Sequence, residues 1–129
     1  MSEMAGLINM VKLSKIEIIT SMAKVAALQE SFGQFGITGM TVTQVMGCGV
    51  QLGTQEFEAS KHESPTLIPK QNVMIVLPTK DVEKFLEFVK KELYTGHIGD
   101  GKIFISPVDN VIRARTGEEG VEALIEGHI

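Results

Sequence analysis

A glycine-rich turn near the C-terminal end of the chain has the residue types of an anion site. The segment GHIGDGK (residues 96–102) surrounds Gly99, Asp100 and Gly101 with backbone N–H groups and places the Lys102 ammonium beside them. Successive backbone N–H groups in turns of this kind form concavities that bind anions. The segment therefore predicts a phosphate or carboxylate site.

Two arginines follow this turn. Arg113 and Arg115 lie two residues apart on a predicted strand, so both guanidinium groups should project from the same face. Together with Lys102 they could hold a polyphosphate. The alternative is that they are surface charges paired with Glu118 or Glu119. The residues alone leave both interpretations open.

Two better-known phosphate motifs match only formally. GHIGDGK contains G-x-x-x-x-G-K, but Ile103 stands where a P-loop needs Ser or Thr, and the glycines lead into a strand rather than a helix. Gly47 and Gly49 begin a dinucleotide fingerprint, but Leu52 occupies its last glycine position and no helix is predicted after it. Neither motif is accepted.

Catalysis and metal binding have little support. His62, His97 and His128 are scattered, without a second ligand at helical spacing, and Cys48 has no neighbouring histidine that would make it a nucleophile. No serine with an evident base and no suggestive pair of carboxylates is present. We therefore expect a binding protein and not an enzyme.

Bulk composition narrows the class further. With 129 residues, 43% of them hydrophobic, the chain can form one domain with a core. The net charge of −4 and the 5% aromatic content argue against a nucleic-acid partner. A single cysteine fits a reducing compartment, which predicts a cytoplasmic location. Without a basic leader or a long apolar run, neither secretion nor membrane insertion is expected.

The elements that must position these residues follow from hydrophobic periodicity. Alternating or β-branched runs predict strands at residues 15–20, 40–46, 73–77, 102–106 and 111–115. Apolar residues at three- and four-residue steps predict one helix from Ala23 to Gly36 and a second one capped by Thr79. Residues 50–69 show no sustained period and predict a long functional loop. The order predicts an α+β, ferredoxin-like βαββαβ fold with an additional C-terminal strand.

Three segments carry a family resemblance: GITGMTVTQV (residues 36–45), TGHIGDGKIF (95–104) and VIRARTGEEG (111–120). They resemble the PII signal-transduction family of nitrogen regulatory proteins, and the resemblance covers residues 13–124. Residues 1–12 are then a flexible N-terminal extension, and residues 13–129 form the PII-like domain.

The resemblance implies a compact homotrimer that binds ATP or ADP as effector in clefts between subunits. Adenine and ribose would meet Thr38, Gly39, Met40, Thr41 and Val76, with Gly47 and Gly49 flanking the cleft. The phosphates would meet Gly99, Asp100, Gly101, Lys102, Arg113 and Arg115.

The long segment would be the T-loop, about residues 50–69, which engages the regulated target. Gln51 would help to hold Mg²⁺ with ATP and the keto acid 2-oxoglutarate, and Lys70 would pair with the distal carboxylate of 2-oxoglutarate. The alternative for Lys70 is an exposed lysine at the start of a strand.

This loop departs from the family pattern. Glu63 stands in place of the tyrosine that some members have uridylylated, and Ala59 replaces an arginine used against ammonium transporters. The loop contains three glutamates and one lysine, whereas the usual family loop is basic in part. The surface of its partner should therefore differ in charge from that of the usual family target. The expected target is an ammonium transporter, a metabolic enzyme or a regulator. The alternatives are a PII-like sensor of a different metabolite with a non-transporter target, and a slow ATPase.

Overall fold

The computed structural model describes residues 11–37, 39–48, 66–96 and 101–125. Four strands form one sheet in the order β2-β3-β1-β4, and every neighbouring pair is antiparallel. Two helices connect them in the predicted ferredoxin-like order. The elements are β1 (Leu13–Thr20), α1 (Met22–Phe32), β2 (Thr41–Cys48), β3 (Leu67–Pro78), α2 (Val82–Leu93) and β4 (Lys102–Val108). The predicted α+β fold class is therefore confirmed.

One face of the sheet, the covered face, packs against both helices. The alternation in β1 and β3 places Ile16, Ile18 and Ile75 on this face, where each is at most 1% exposed. Phe32 of α1 and Phe85 of α2 meet there with ring centroids 5.3 Å apart. The buried cluster consists of Ile16, Ile18, Leu28, Phe32, Val73, Ile75, Leu77, Phe85, Val89 and Leu93.

The opposite face, the open face, has no helix over it among the described residues. Glu17 of β1 pairs in register with Met74 of β3 and with Phe104 of β4, so the three share this face. Phe104 is 54% exposed. Lys15 and Asn72 lie on the same face and are half-buried, whereas Leu13 at the start of β1 is buried.

The start of the second helix differs from the prediction. Thr79 does not cap α2: a 3₁₀ turn (Thr79–Asp81) precedes the helix, and the Thr79 hydroxyl lies 2.7 Å from the Ser14 hydroxyl on β1. The Thr79 hydroxyl therefore forms a hydrogen bond with a residue distant in sequence and does not cap the N-terminus of α2. The predicted charge distribution is present, with Glu83 in the first turn and Lys90 and Lys91 in the last turn.

Strand β3 is longer than predicted and shortens the long loop. The apolar run indicated residues 73–77, whereas β3 covers twelve residues from Leu67 to Pro78. Its polar section, residues 70–72, is held by pairing with β2 from Thr41 onward and with β1 near Thr20. Pairing with two neighbours overrides the weak strand propensity of these residues. The remainder of the predicted T-loop lies outside the described residues, as do residues 1–10 of the predicted extension.

The predicted fifth strand at residues 111–115 is wrong. Only an isolated bridge joins Ile112 to Glu119. Between them the chain closes on itself, because the Arg113 N–H donates to the Glu118 carbonyl (2.9 Å) and the Gly117 N–H donates to the Arg113 carbonyl (2.7 Å). Gly117 supplies the positive φ of 77° that this tight turn requires. A 3₁₀ turn (Gly120–Leu124) follows.

None of the helices in the described part of the chain has the length and apolar content required to span a bilayer.

Candidate functional site

A groove of about 340 Å³ lies beside the starting end of β2. Four residues predicted to meet adenine and ribose line it together: Gly39, Met40, Thr41 and Val76. Its other lining residues are Gly36, Ile37, Met74, Ile75, Leu77, Pro78, Ala123 and Leu124. Apolar walls with a few hydroxyl and backbone polar groups are typical of small-ligand sites. The groove therefore has the chemistry to accept a flat aromatic base.

The turn after α1 positions this groove. Gly36 takes a left-handed conformation (φ 74°), and its N–H donates to the Gly33 carbonyl at 3.1 Å. The Ile37 N–H donates back to the Phe32 carbonyl at 3.1 Å, and the Ile37 side chain packs on the core. This is the usual way in which a glycine ends a helix and reverses the chain. It brings the chain to the Thr41 end of β2, next to Met74.

The predicted phosphate-binding turn is described only at its end, since Gly99 and Asp100 lie outside the described residues. Gly101 has φ 120°, and a Cβ at this position would lie 2.6 Å from the Ile19 carbonyl oxygen. Only glycine permits this close approach of two backbones. Lys102 follows as the exposed first residue of β4 and pairs in register with Ile19. The Gly101 backbone therefore packs closely against the Ile19 backbone, and the Lys102 side chain adds a positive charge next to it.

Arg113 is engaged within its own chain. One terminal nitrogen donates to the Glu118 carboxylate at 3.1 Å, and the other donates to the carbonyls of Ala123 (3.0 Å) and Ile125. Glu118 is one of the two partners that the sequence alternative named, but the Arg113 and Glu118 side chains are each only 20% exposed, so this is not a surface ion pair. The expectation that Arg113 and Arg115 project from one strand face is wrong, because no strand forms there. The Arg115 side chain is exposed.

One predicted base residue, Thr41, and one predicted phosphate residue, Lys102, occupy opposite edges of the sheet. Thr41 lies on β2 and Lys102 on β4, with β3 and β1 between them. Three strand spacings amount to roughly 14 Å. Neither Lys102 nor Gly101 lines the groove of the same protomer. Within one chain, Thr41 of the groove and Lys102 of the glycine turn therefore lie on different edge strands.

Gly47 and Lys70 lie side by side near the other end of β2. A Cβ on Gly47 would lie 3.2 Å from Cγ of Lys70, and Lys70 pairs in register with Val45. The half-buried Lys70 lies on the open face, directly after the predicted end of the T-loop. The other predicted residues of this region, Gly49 and Gln51, lie outside the described residues, as does Thr38.

Glu17 and Asn72 form a polar pair on the open face. The Asn72 side-chain amide donates to the Glu17 carboxylate at 2.9 Å, and the Lys15 ammonium lies 3.6 Å from it. The Asn72 hydrogen bond, with help from Lys15, lowers the pKa of the Glu17 carboxyl below its usual value against a small opposing effect of desolvation. The side-chain oxygen of Asn72 (Oδ1) is buried and has no hydrogen-bond partner among the described residues.

Sequence reasoning missed part of the groove. Ala123 and Leu124 form one wall but belong to a short apolar segment without a motif, so no local signal marked them. The sequence predicts Leu77 only as the last residue of a buried strand and gives no role to Pro78. Within the described ranges, no group of three or more His, Cys, Asp or Glu side chains is arranged to hold a metal ion. The predicted Mg²⁺ contact, Gln51, falls outside those ranges.

Comparison with known proteins was made for both sequence and fold. The family model described as "Nitrogen regulatory protein P-II" matches residues 13–118. The nitrogen regulatory protein P-II of Cyanidium caldarium is 39% identical over 86% of this chain and 98% of its own length. Nitrogen regulatory protein P-II 2 of Methanothermobacter thermautotrophicus is 41% identical over 89% of this chain and its full length.

Two solved structures share the fold. The ATP complex of GlnK from B. subtilis superposes with a TM-score of 0.74 and 35% identity, covering 88% of this chain and 96% of GlnK. PII of Arabidopsis thaliana bound to citrate superposes with a TM-score of 0.70 and 33% identity, covering 88% of this chain and 92% of that protein. The family model includes the strands β1 to β4 and ends before Ala123 and Leu124 of the groove. This chain belongs to the nitrogen regulatory protein P-II family.

Proposed function

We propose that this chain is a nucleotide-responsive signalling protein of nitrogen metabolism. It binds ATP or ADP between the protomers of a homotrimer and passes the nucleotide state to a target protein through residues 50–69. The observation that carries this proposal is the groove in which Gly39, Met40, Thr41 and Val76 lie together. The similarity to a GlnK that has been solved with ATP supports it.

The base would occupy the groove. Met40 and Val76 offer apolar contact on the two sides, and the Thr41 hydroxyl and the backbone near Gly39 offer hydrogen bonds. Thr38 would complete this set. We expect the phosphates to extend beyond the groove towards Lys102.

The phosphates would be held by Gly101 and Lys102 with Gly99, Asp100 and Arg115. Gly101 brings backbone close to backbone, and Lys102 adds a positive charge at the start of β4. Because Lys102 on β4 and Thr41 on β2 lie on opposite edges of the sheet, one ligand could meet both residues when β4 of one protomer faces the groove of the next. The homotrimer is thus part of the binding site.

A small carboxylate would be the second effector. Lys70 is half-buried beside Gly47, and we propose that it acts together with Gln51. A lysine in this position supplies the complementary charge for 2-oxoglutarate, with Gln51 holding Mg²⁺ and the keto acid. The citrate complex of a relative shows that a polycarboxylate binds that protein.

The target would respond to the nucleotide through a reciprocal coupling. A partner that prefers the ADP form must tighten ADP binding to the same extent. Because glutamates predominate in residues 50–69, we expect a target surface with basic character. This target is an ammonium transporter, a metabolic enzyme or a regulator.

Calorimetric titration tests the binding site. Wild-type protein should bind ATP and ADP, and Lys102→Ala should weaken both by more than about tenfold because a charge-assisted contact is lost. Lys84→Ala removes an exposed lysine from α2 and serves as the matched control with unchanged affinity. No binding of either nucleotide at millimolar concentration would disprove the proposal.

Assembly and the second effector need separate measurements. Light scattering on the purified chain should give the mass of three protomers, and a monomer would contradict the inter-protomer site. Titration with 2-oxoglutarate and Mg-ATP should give tighter binding to wild type than to Lys70→Ala. Equal affinities would remove 2-oxoglutarate as the effector while leaving nucleotide binding in place.

A further inference from the structure

A second groove, of about 590 Å³, lies at the corner of the domain where β1 begins and β4 ends. It shares no lining residue with the groove proposed for the base. Its apolar lining residues are Val11, Leu13, Ile105, Pro107 and Val108. We call it the corner groove.

Two of these apolar side chains are accessible. Ile105 pairs in register with the fully buried Ile16 and so lies on the covered face, but at the edge of the sheet it is itself 50% exposed. Val11 is 45% exposed. Burial of apolar surface is favourable, so an occupant with apolar side chains would stabilise this part of the domain.

The chain enters the described structure at the corner groove. Val11 is the first residue that the structure describes, and it lines the groove. The Lys12 carbonyl accepts a hydrogen bond from the Thr79 N–H at 2.9 Å, which fixes the chain against the turn before α2. Residues 1–10 are thus attached to the groove wall, and attachment gives them a high effective concentration there.

Residues 1–10 have a composition and a length that suit this groove. The segment MSEMAGLINM contains six apolar residues, three of them methionines, and one charged residue, Glu3. Methionine side chains adapt to irregular apolar surfaces. The groove follows residues 105–109, which are about 17 Å long at ~3.4 Å per residue. Ten residues can span up to about 33 Å, so the segment is long enough to cover it.

The direction of the chain identifies the contact. The chain bends at Val11 and does not continue the line of β1. Val108 pairs with Leu13, and Ile105 lies three residues further along β4. A segment that turns back at Val11 would bring Ile8, three residues before the bend, close to Ile105.

We propose that residues 1–10 dock in the corner groove of their own protomer, with Ile8 against Ile105. These residues precede the family model, which begins at residue 13, so the contact is an addition of this chain to the family fold. Docking replaces the flexible extension that the resemblance implied. It does not depend on the proposed function, because the corner groove contains none of the residues assigned to nucleotide or 2-oxoglutarate.

Disulfide trapping in the full chain tests the contact. The chain has one cysteine, so Cys48→Ser gives a cysteine-free background. In this background, Ile8→Cys with Ile105→Cys should oxidise at least about tenfold faster than Ile8→Cys with Met22→Cys, because docking raises the effective concentration above that of a free tether. Met22 is 68% exposed on α1 and outside the groove, which makes it the matched control.

A double-mutant cycle measures the same contact without added cysteines. Ile8→Ser and Ile105→Ser should each lower Tm by about 3–5 °C at a fixed protein concentration. The double variant should lose no more than either single variant, because both remove the same contact. Met22→Ser should leave Tm unchanged and should not alter the effect of Ile8→Ser.

Three results would overturn the proposal. A disulfide-linked dimer from the pair at positions 8 and 105 would place the segment on a neighbouring protomer instead of its own. Equal oxidation rates for the two cysteine pairs would show that residues 1–10 do not prefer the groove. Additive losses of Tm would show that Ile8 and Ile105 do not share a contact. A failure of the wild type to bind nucleotide would refute the proposed function and leave this docking intact.

Discussion

The covered and open faces of the sheet differ in what they determine. On the covered face, Ile16 and Ile18 of β1 are fully buried against the helices. On the open face of the same strand, Lys15 and Glu17 are half-buried and polar. Alternation along one strand thus separates the residues that hold the domain together from those that remain accessible.

Substitutions on the two faces should therefore have different effects. Substitutions on the covered face change packing and hence stability, because protein interiors are close-packed. The open face combines a large exposed ring, Phe104, with the Glu17–Asn72 pair, and we expect substitutions there to cost little stability. We expect the covered face to specify the domain and the open face to specify what the domain assembles with.

The largest effect should come from Phe85→Ala. Phe85 is fully buried and contacts Phe32, so its removal should lower the free energy of unfolding by about 3–5 kcal/mol. Phe104→Ala is the matched control on the open face and should cost about 1 kcal/mol or less in the isolated protomer. Urea denaturation measures both. Equal losses would break the distinction between the two faces.

Gly101→Ala should have the next largest effect, because it tests backbone approach instead of side-chain packing. A Cβ here lies 2.6 Å from the Ile19 carbonyl, and φ is 120°, so the substitution should cost about 1–3 kcal/mol and impair nucleotide binding. Gly33→Ala has nothing within 4 Å and a helical φ of −56°. It should be neutral or slightly stabilising in thermal melts, and equal effects at both glycines would contradict the close approach.

Phe104→Ser tests whether the open face forms the contact between protomers. The secondary structure seen by circular dichroism should be retained, while the trimer mass seen by light scattering should be lost or become concentration-dependent. Ile105 is 50% exposed on the other side of the same strand, and Ile105→Ser is the matched control. If Phe104→Ser remained trimeric and Ile105→Ser dissociated, the contact between protomers would not lie on the open face, and the prediction would be wrong.

The smallest effect concerns the pH dependence of Glu17. Its pKa is lowered in the folded protein by the Asn72 hydrogen bond, so the contribution to stability is present above the unfolded pKa and is lost as the pH falls through the folded value. Thermal melts of wild type and Glu17→Gln between pH 6 and about pH 3 should therefore converge towards acid. A difference that grows on acidification would contradict this sign.

Most of the fold was predictable because hydrophobic periodicity is a local property. The alternation in β1 and the stripe of α2 lie in the sequence itself, and both elements were found. Thr79 could not be interpreted locally, because its hydroxyl pairs with Ser14, sixty-five positions away. The β-branched appearance of residues 111–115 predicted a strand, but a strand needs a neighbour, and the turn at Gly117 closes this segment on itself.

The candidate site was predictable in type but not in arrangement. Cations near a glycine turn indicated an anion site, and Gly101 does bring two backbones into contact. Spacing could not reveal that Arg113 turns towards Ala123, because that contact depends on how the C-terminal turn folds back. Nor could it place Thr41 and Lys102 on opposite edges, which follows from strand order alone.

That strand order has a genetic consequence. If a ligand touches β2 of one chain and β4 of another, two defective chains can complement each other. A chain with a blocked groove, such as Thr41→Trp, and a chain with Lys102→Ala would each fail alone, yet co-refolded mixtures would contain junctions that pair an intact groove with an intact lysine. Heterozygous cells carrying both alleles would then retain part of the response that either allele abolishes by itself.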